Sequence, residues 1–238
     1  HGDKFILRYP SPAQTIGGGI VVNPHPARRW KRFMPNLIAT LEMQMDGTPQ
    51  ERLAHLAEKP EPLKKSALHH ASGLNNADFE AVLGLALTEG LITETAQGQY
   101  LASKTIYGLH DKMTQIVMQF HQNNPLKLGI PREELRSRLG IKQPLFIFLL
   151  GHTTDLTVND AIIRHHKHEI TVTDAQDKLM MKLLNAMDEA PFTPPTFSEG
   201  VAMIGEPLVQ VLIDWGDVIL ISDEIILTKH TFVAFLDE

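Results

Sequence analysis

Three consecutive glycines, Gly17 to Gly19 in "QTIGGGIVV", have the composition of a loop that could cradle phosphate. A Gly-x4-Gly-Lys-Ser/Thr loop works because backbone N–H groups surround the phosphates while a lysine and a hydroxyl reach the terminal phosphate and its magnesium. Here Gly19 is followed by Ile20, Val21 and Val22, with neither lysine nor hydroxyl. A dinucleotide turn needs Gly-x-Gly-x-x-Gly leading into a helix, so Gly17 and Gly19 require glycine where Val22 stands. Both nucleotide readings fail. The run is expected to be structural, with glycines at a bulge or at close backbone approach inside a strand.

The histidines of "RHHKHE" come next. Read as strand, they put His166 and His168 on one side and His165 on the other, and two imidazoles at that spacing can share a metal. No further ligand is apparent nearby, so a solvated, partly cationic wing tip formed with Arg164 and Lys167 is the expectation, and no metal site is assigned. "LHH" at His69 and His70 is a weaker version of the same signal. A Gly-x-Ser-x-Gly elbow and a His-Glu-x-x-His helix are both missing from the sequence, so nothing in it demands an enzyme.

Cationic clusters remain. Arg28, Arg29, Lys31 and Arg32 in "ARRWKRF", Arg132, Arg136 and Arg138 in "REELRSR", and Arg164, His165, His166, Lys167 and His168 in "RHHKH" could each meet RNA or ribosome. A solvated helix face or wing is the alternative for each, and the first cluster could equally meet an acidic neighbouring domain. The formal charge of -6 makes the bulk of the chain acidic, which argues against a broad nucleic-acid footprint and leaves only such local patches.

The elements that would carry these clusters follow from periodicity. Phe5 to Leu7 and Ile20 to Val22 read as a strand pair turned at Pro10, Ser11 and Pro12. Trp30, Phe33, Leu37, Ile38, Leu41 and Met45 form a helical stripe. "TPQE" from Thr48 is a capping box with proline at the first helical position. Two more helices, near Lys64 to Ala71 and Asn76 to Glu89, precede a hairpin turned at Gln97 and Gly98. Three helices and a hairpin are the order of a winged helix. That order returns twice. Ile106, Leu109, Met113, Ile116, Val117 and Phe120 line a long helix, followed by "PREELRSRLG", "KQPLFIFLLGH" and a wing in "LTVNDAIIRHHKHEITV"; the third round runs from Asp174 through "EPLVQVLIDWG" to "DVILISDEIILT". Repetition at roughly sixty residues favours tandem modules over one large fold. With 43% hydrophobic and 21% charged residues the chain reads as soluble and globular, and no apolar run spans a bilayer. Cysteine is absent, which excludes disulfides and thiolate chemistry.

Two stretches carry a family resemblance. "FILRYPSPAQTIGGGIVVNP" resembles the closing strands of the third, β-barrel domain of translation elongation factors, and its triple glycine is like that of the selenocysteine-specific factors of the SelB family. "NPLKLGIPREELRSRLG", Asn124 to Gly140, is similar to the opening of the second winged helix in bacterial members. The resemblance implies a mainly α fold with small β wings: tandem winged-helix modules at 28–103, 104–173 and 174–238, after a remnant of the third-domain barrel at 1–27. It implies a non-enzymatic, cytoplasmic arm that joins a GTP- and tRNA-binding part to an end gripping the messenger-RNA hairpin that recodes UGA. The GTPase with its GTP and magnesium, the selenocysteyl-tRNA site and a fourth winged helix are expected outside this chain, which takes no cofactor itself. The implied partners are the mRNA selenocysteine insertion hairpin and the ribosome, with no membrane. The rival expectation is a stand-alone tandem winged-helix DNA regulator or a protein-docking array.

Overall fold

A computed structural model describes residues 3–22, 37–159 and 161–236. The chain divides into two compact units, residues 1–108 and 109–238.

The first unit opens on an antiparallel hairpin, β1 (Lys4–Tyr9) and β2 (Gln14–Ile20). Two of the three glycines are explained by this ladder. Gly17, Gly18 and Gly19 stand opposite Leu7, Ile6 and Phe5, and the register shifts between Leu7 and Arg8. A Cβ on Gly18 would lie 2.7 Å from the Phe5 carbonyl oxygen, and one on Gly19 would lie 2.8 Å from the Phe5 ring. The close approach expected from sequence is present at Gly18 and Gly19, whereas the residue left over at the bulge is Ile16 and not a glycine.

Helix α1 (Leu37–Asp46) follows, then α2 (Pro49–Leu56), whose capping box is complete: the Glu51 N–H donates to Thr48 Oγ1 at 3.2 Å and the Thr48 N–H to Glu51 Oε2 at 2.7 Å. Next come β3 (Leu63–Lys64), α3 (Lys65–Ser72), α4 (Asn76–Thr88), β4 (Ile92–Glu94) and β5 (Gln99–Ala102), with β5 central in a sheet of order β3-β5-β4. Leu53, Leu68, Phe79, Leu83 and Ile92 are buried together as the core.

The second unit contains two further rounds. Helix α5 (Ser103–Asn123), whose first residues belong to the first unit, buries Leu109, Met113, Val117 and Phe120. Strand β6 (Ile130–Pro131), α6 (Arg132–Leu139), α7 (Gln143–Gly151), β7 (Leu156–Val158) and β8 (Ile162–His165) complete the round, with sheet order β6-β8-β7. The third round is α8 (Asp174–Glu189), α9 (Phe197–Ile204), α10 (Glu206–Trp215), β9 (Val218–Leu220), β10 (Ile226–Thr228) and α11 (Lys229–Leu236). Its core, around Leu183, Val209, Val211 and Ile226, also takes in Leu126, Ile170 and Val172 from the segments that precede α8.

The architecture is mainly α with small antiparallel sheets, as expected. Two features differ from the sequence reading. Each round has an extra extended stretch after its first helix: β3, β6, and in the third round an isolated bridge from Thr196 to Ile225. Two residues are too short to show a period of two, so these strands emerge only when the hairpin supplies a partner edge. Helix α11 was also not expected. "KHTFVAFL" has β-branched and aromatic residues without a polar stripe, but Thr228 accepts the Thr231 N–H at 3.3 Å and starts the helix.

Candidate nucleic-acid interface

Charge is divided sharply among the rounds. Residues 174–238 hold three lysines against twelve acidic residues, whereas residues 109–173 hold eight Lys and Arg against six Asp and Glu, plus six histidines. The helix that would enter a groove carries acid in the first and third rounds: Asp78 and Glu80 on α4, Glu206 and Asp214 on α10, all exposed. In the second round that helix, α7, is apolar, with Leu145, Phe146, Leu149 and Leu150 buried and Ile147 half exposed. A phosphate backbone is repelled by the first two and finds no donor side chain within "LFIFLL" of the third.

The cations of the second round sit instead on α6 and beyond β8. Two of the α6 arginines are engaged along their own helix. Arg136 binds Glu133 at 2.7 Å and Arg138 binds Glu134 at 2.6 Å, both at the surface, where such pairs contribute little stability and can be exchanged for a phosphate. Arg132 forms no ion pair with a described residue. The cluster Arg28, Arg29, Lys31 and Arg32 lies outside the described residues.

The histidine cluster is not a wing tip. Strand β8 ends at His165, whereas the wing turns at the other end of the hairpin, where Val158 pairs with Ile163. His166 to His168 form a turn at the opposite end, closed by the His168 N–H donating to the His165 carbonyl at 2.9 Å. His166 Nδ1–H donates to the Asp155 carbonyl at 2.8 Å, and its ring stacks on His165 at 4.6 Å. His168 Nε2–H donates to the Lys127 carbonyl at 3.1 Å. Its ring lies parallel to that of His121, 3.5 Å away. Lys167 is exposed. The alternating strand geometry drawn for His165, His166 and His168 therefore gives way to a turn. Among the described residues, no group of three or more His, Asp or Glu side chains could hold a metal ion.

His121 was not singled out from sequence, although its spacing gives the signal: it falls four residues after Val117 on the buried stripe of α5. It is 7% exposed and accepts the His165 N–H at Nε2, 3.1 Å away. That bond places the ring proton of the neutral tautomer on Nδ1, where it has no partner among the described residues. Burial, and then the charges of His168, His165 and Arg164, lower its pKa from 6.5 to about 4. The neighbouring ring of Phe120 has Lys127 Nζ 5.9 Å and the Arg138 guanidinium 6.0 Å from its centre. Lys127, Arg138, Arg164 and the histidines thus form one basic, aromatic surface around the end of α5. Sequence pointed to Arg138 and to 164–168 separately, and the fold brings them together with Lys127.

Comparison with known proteins bears on these same elements. Residues 114–155, which run from α5 through α6 and α7, match the family model described as "Elongation factor SelB, winged helix", the second winged helix. That match falls on the second of the three rounds. The chain is 24% identical, over 255 aligned residues, to a selenocysteine-specific elongation factor of Desulfomicrobium baculatum, an alignment that takes in 96% of this chain and 38% of that relative. The chain therefore spans well under half the length of this SelB relative. Among solved structures it is similar to a bacterial selenocysteine-specific elongation factor, EF-Sec, with 16% identity and a TM-score of 0.49 over 100% of this chain and 37% of the other. It is also similar to the mRNA-binding domain of SelB from E. coli in complex with SECIS RNA, with 17% identity and a TM-score of 0.36 over 49% of this chain and 96% of that one. No helix among the described residues is long and apolar enough to cross a membrane.

Proposed function

We propose that this chain is the C-terminal tandem winged-helix arm of a selenocysteine-specific elongation factor, an arm without catalysis of its own that links a GTP- and tRNA-binding part to the mRNA hairpin during UGA recoding in the cytoplasm. The observation that carries this reading is the match of the second SelB winged helix to residues 114–155, because it falls on the middle one of three structural rounds. The modules are read as 28–103, 104–173 and 174–238, after a piece of a third-domain barrel at 1–27. The exposure of Phe5, Ile6, Leu7 and Ile16 on the hairpin supports that last assignment, since these side chains suit the wall of a larger sheet.

Contacts with RNA or ribosome are assigned chiefly to Arg132, Arg164, His165, His166, Lys167 and His168, joined by Arg136, Arg138 and the Arg28 to Arg32 cluster. The acidic faces of α4 and α10 speak against the DNA-regulator reading. Fluorescence anisotropy with labelled RNA hairpins across 50 to 200 mM salt tests the proposal. The expected binding is weaker than micromolar, salt-dependent, and flatter in salt by about one unit of log-log slope for Lys167→Ala. Submicromolar capture of a selenocysteine hairpin would overturn the linking role, and a preference for a specific DNA duplex would overturn the family function.

A further inference from the structure

Two buried donors belong to residues joined to the His121–His168 stack, and neither has an acceptor among the described residues. One is His121 Nδ1–H; the other is Nε–H of Arg164. Arg164 spends Nη1 on the His168 carbonyl, at 3.4 Å, and a guanidinium carries its charge permanently. A buried donor left unpaired costs on the order of 1–3 kcal/mol, so two of them on one cluster need an account. Their surroundings favour a negative occupant. From β8 and its turn come Arg164, His165, His166, Lys167 and His168. From the connection after α5 comes Lys127, and from α6 comes Arg138, whose carboxylate partner Glu134 is on its own helix. Access is governed by His168, whose partly exposed ring covers that of His121 and is held by the bond to the Lys127 carbonyl.

We propose that the base of the second wing is an oxyanion site of the phosphate class, in which Arg164 Nε–H and His121 Nδ1–H bind the anion after the His168 ring turns aside. The anion comes from an RNA backbone or from free phosphate; the RNA source rests on the function proposed above, whereas the site does not.

The depressed basicity of His121 supplies the readout. An anion beside the ring favours its protonated form, so occupancy and His121 protonation are linked, and a rise of one pKa unit equals tenfold tighter anion binding to the protonated state. The test is an NMR titration of the histidine resonances of the whole chain in sulfate, against chloride at equal ionic strength. Sulfate is expected to raise the His121 pKa by at least one unit. Arg164→Gln should abolish the rise, while His168→Ala, which uncovers the site, should keep or enlarge it. Direct calorimetry at pH 6.5 covers the case in which the chain unfolds in acid: sulfate should bind the native chain at least tenfold more tightly than Arg164→Gln. No sulfate effect on His121 together with no calorimetric difference, or an equal effect in Arg164→Gln, overturns the site. A parallel arm with a hairpin RNA separates the sources: a sulfate response without an RNA response leaves the site standing and removes RNA as its occupant.

Discussion

The neutral, buried imidazole of His121 should make the second round acid-labile, and the size of the effect can be worked out. Its folded pKa of about 4 lies below the unfolded value of 6.5, so the unfolded chain binds the extra proton as pH falls. The contribution to stability is fully present above 6.5 and is lost between 6.5 and about 4. Linkage gives a loss of about 2 kcal/mol between pH 8 and pH 5, equivalent to a urea midpoint lower by roughly 1 M. Other groups titrate in the same range, so the difference between the native chain and His121→Gln isolates this one. Glutamine keeps an acceptor for the His165 N–H but does not ionise. Urea titrations followed by far-UV circular dichroism at pH 8, 7, 6 and 5 should show the native chain losing about 2 kcal/mol more than the variant, which itself starts about 1 kcal/mol lower at pH 8 through imperfect packing. The same acid slope in both proteins would refute the assignment of the lability to this side chain.

Two structural predictions accompany it. Phe146, fully buried on α7, and Ile147, its half-exposed neighbour, should behave oppositely: Phe146→Ala should cost about 3–5 kcal/mol in urea unfolding and Ile147→Ala no more than about 1. In the hairpin, an alanine at Gly17 meets nothing within 4 Å, whereas one at Gly18 would press on the Phe5 carbonyl, so Gly18→Ala alone should displace the amide resonances of Phe5 and Ile6.

The apolar periods of the helices and the turn residues of the wings determined, from sequence alone, that rounds of three helices and a hairpin follow one another. Leu109, Met113, Val117 and Phe120 were placed inside because a stripe at spacings of three and four has only one face to bury. The failure of Gly17 to Gly19 as a phosphate loop was equally local, since it depended only on the residues that follow. What local pattern could not reach was anything made by two distant segments. The short strands β3 and β6 exist because a hairpin edge passes beside them. His165 to His168 looked like alternating strand until the turn after β8 placed them against the end of α5. His121 had the spacing of a core residue, but its role depends on the His165 N–H and the His168 ring, forty-four and forty-seven positions further along the chain. A hydrogen bond or a stacked pair across that separation is a product of packing, and only the tertiary structure could decide that the basic residues of the second round share one surface.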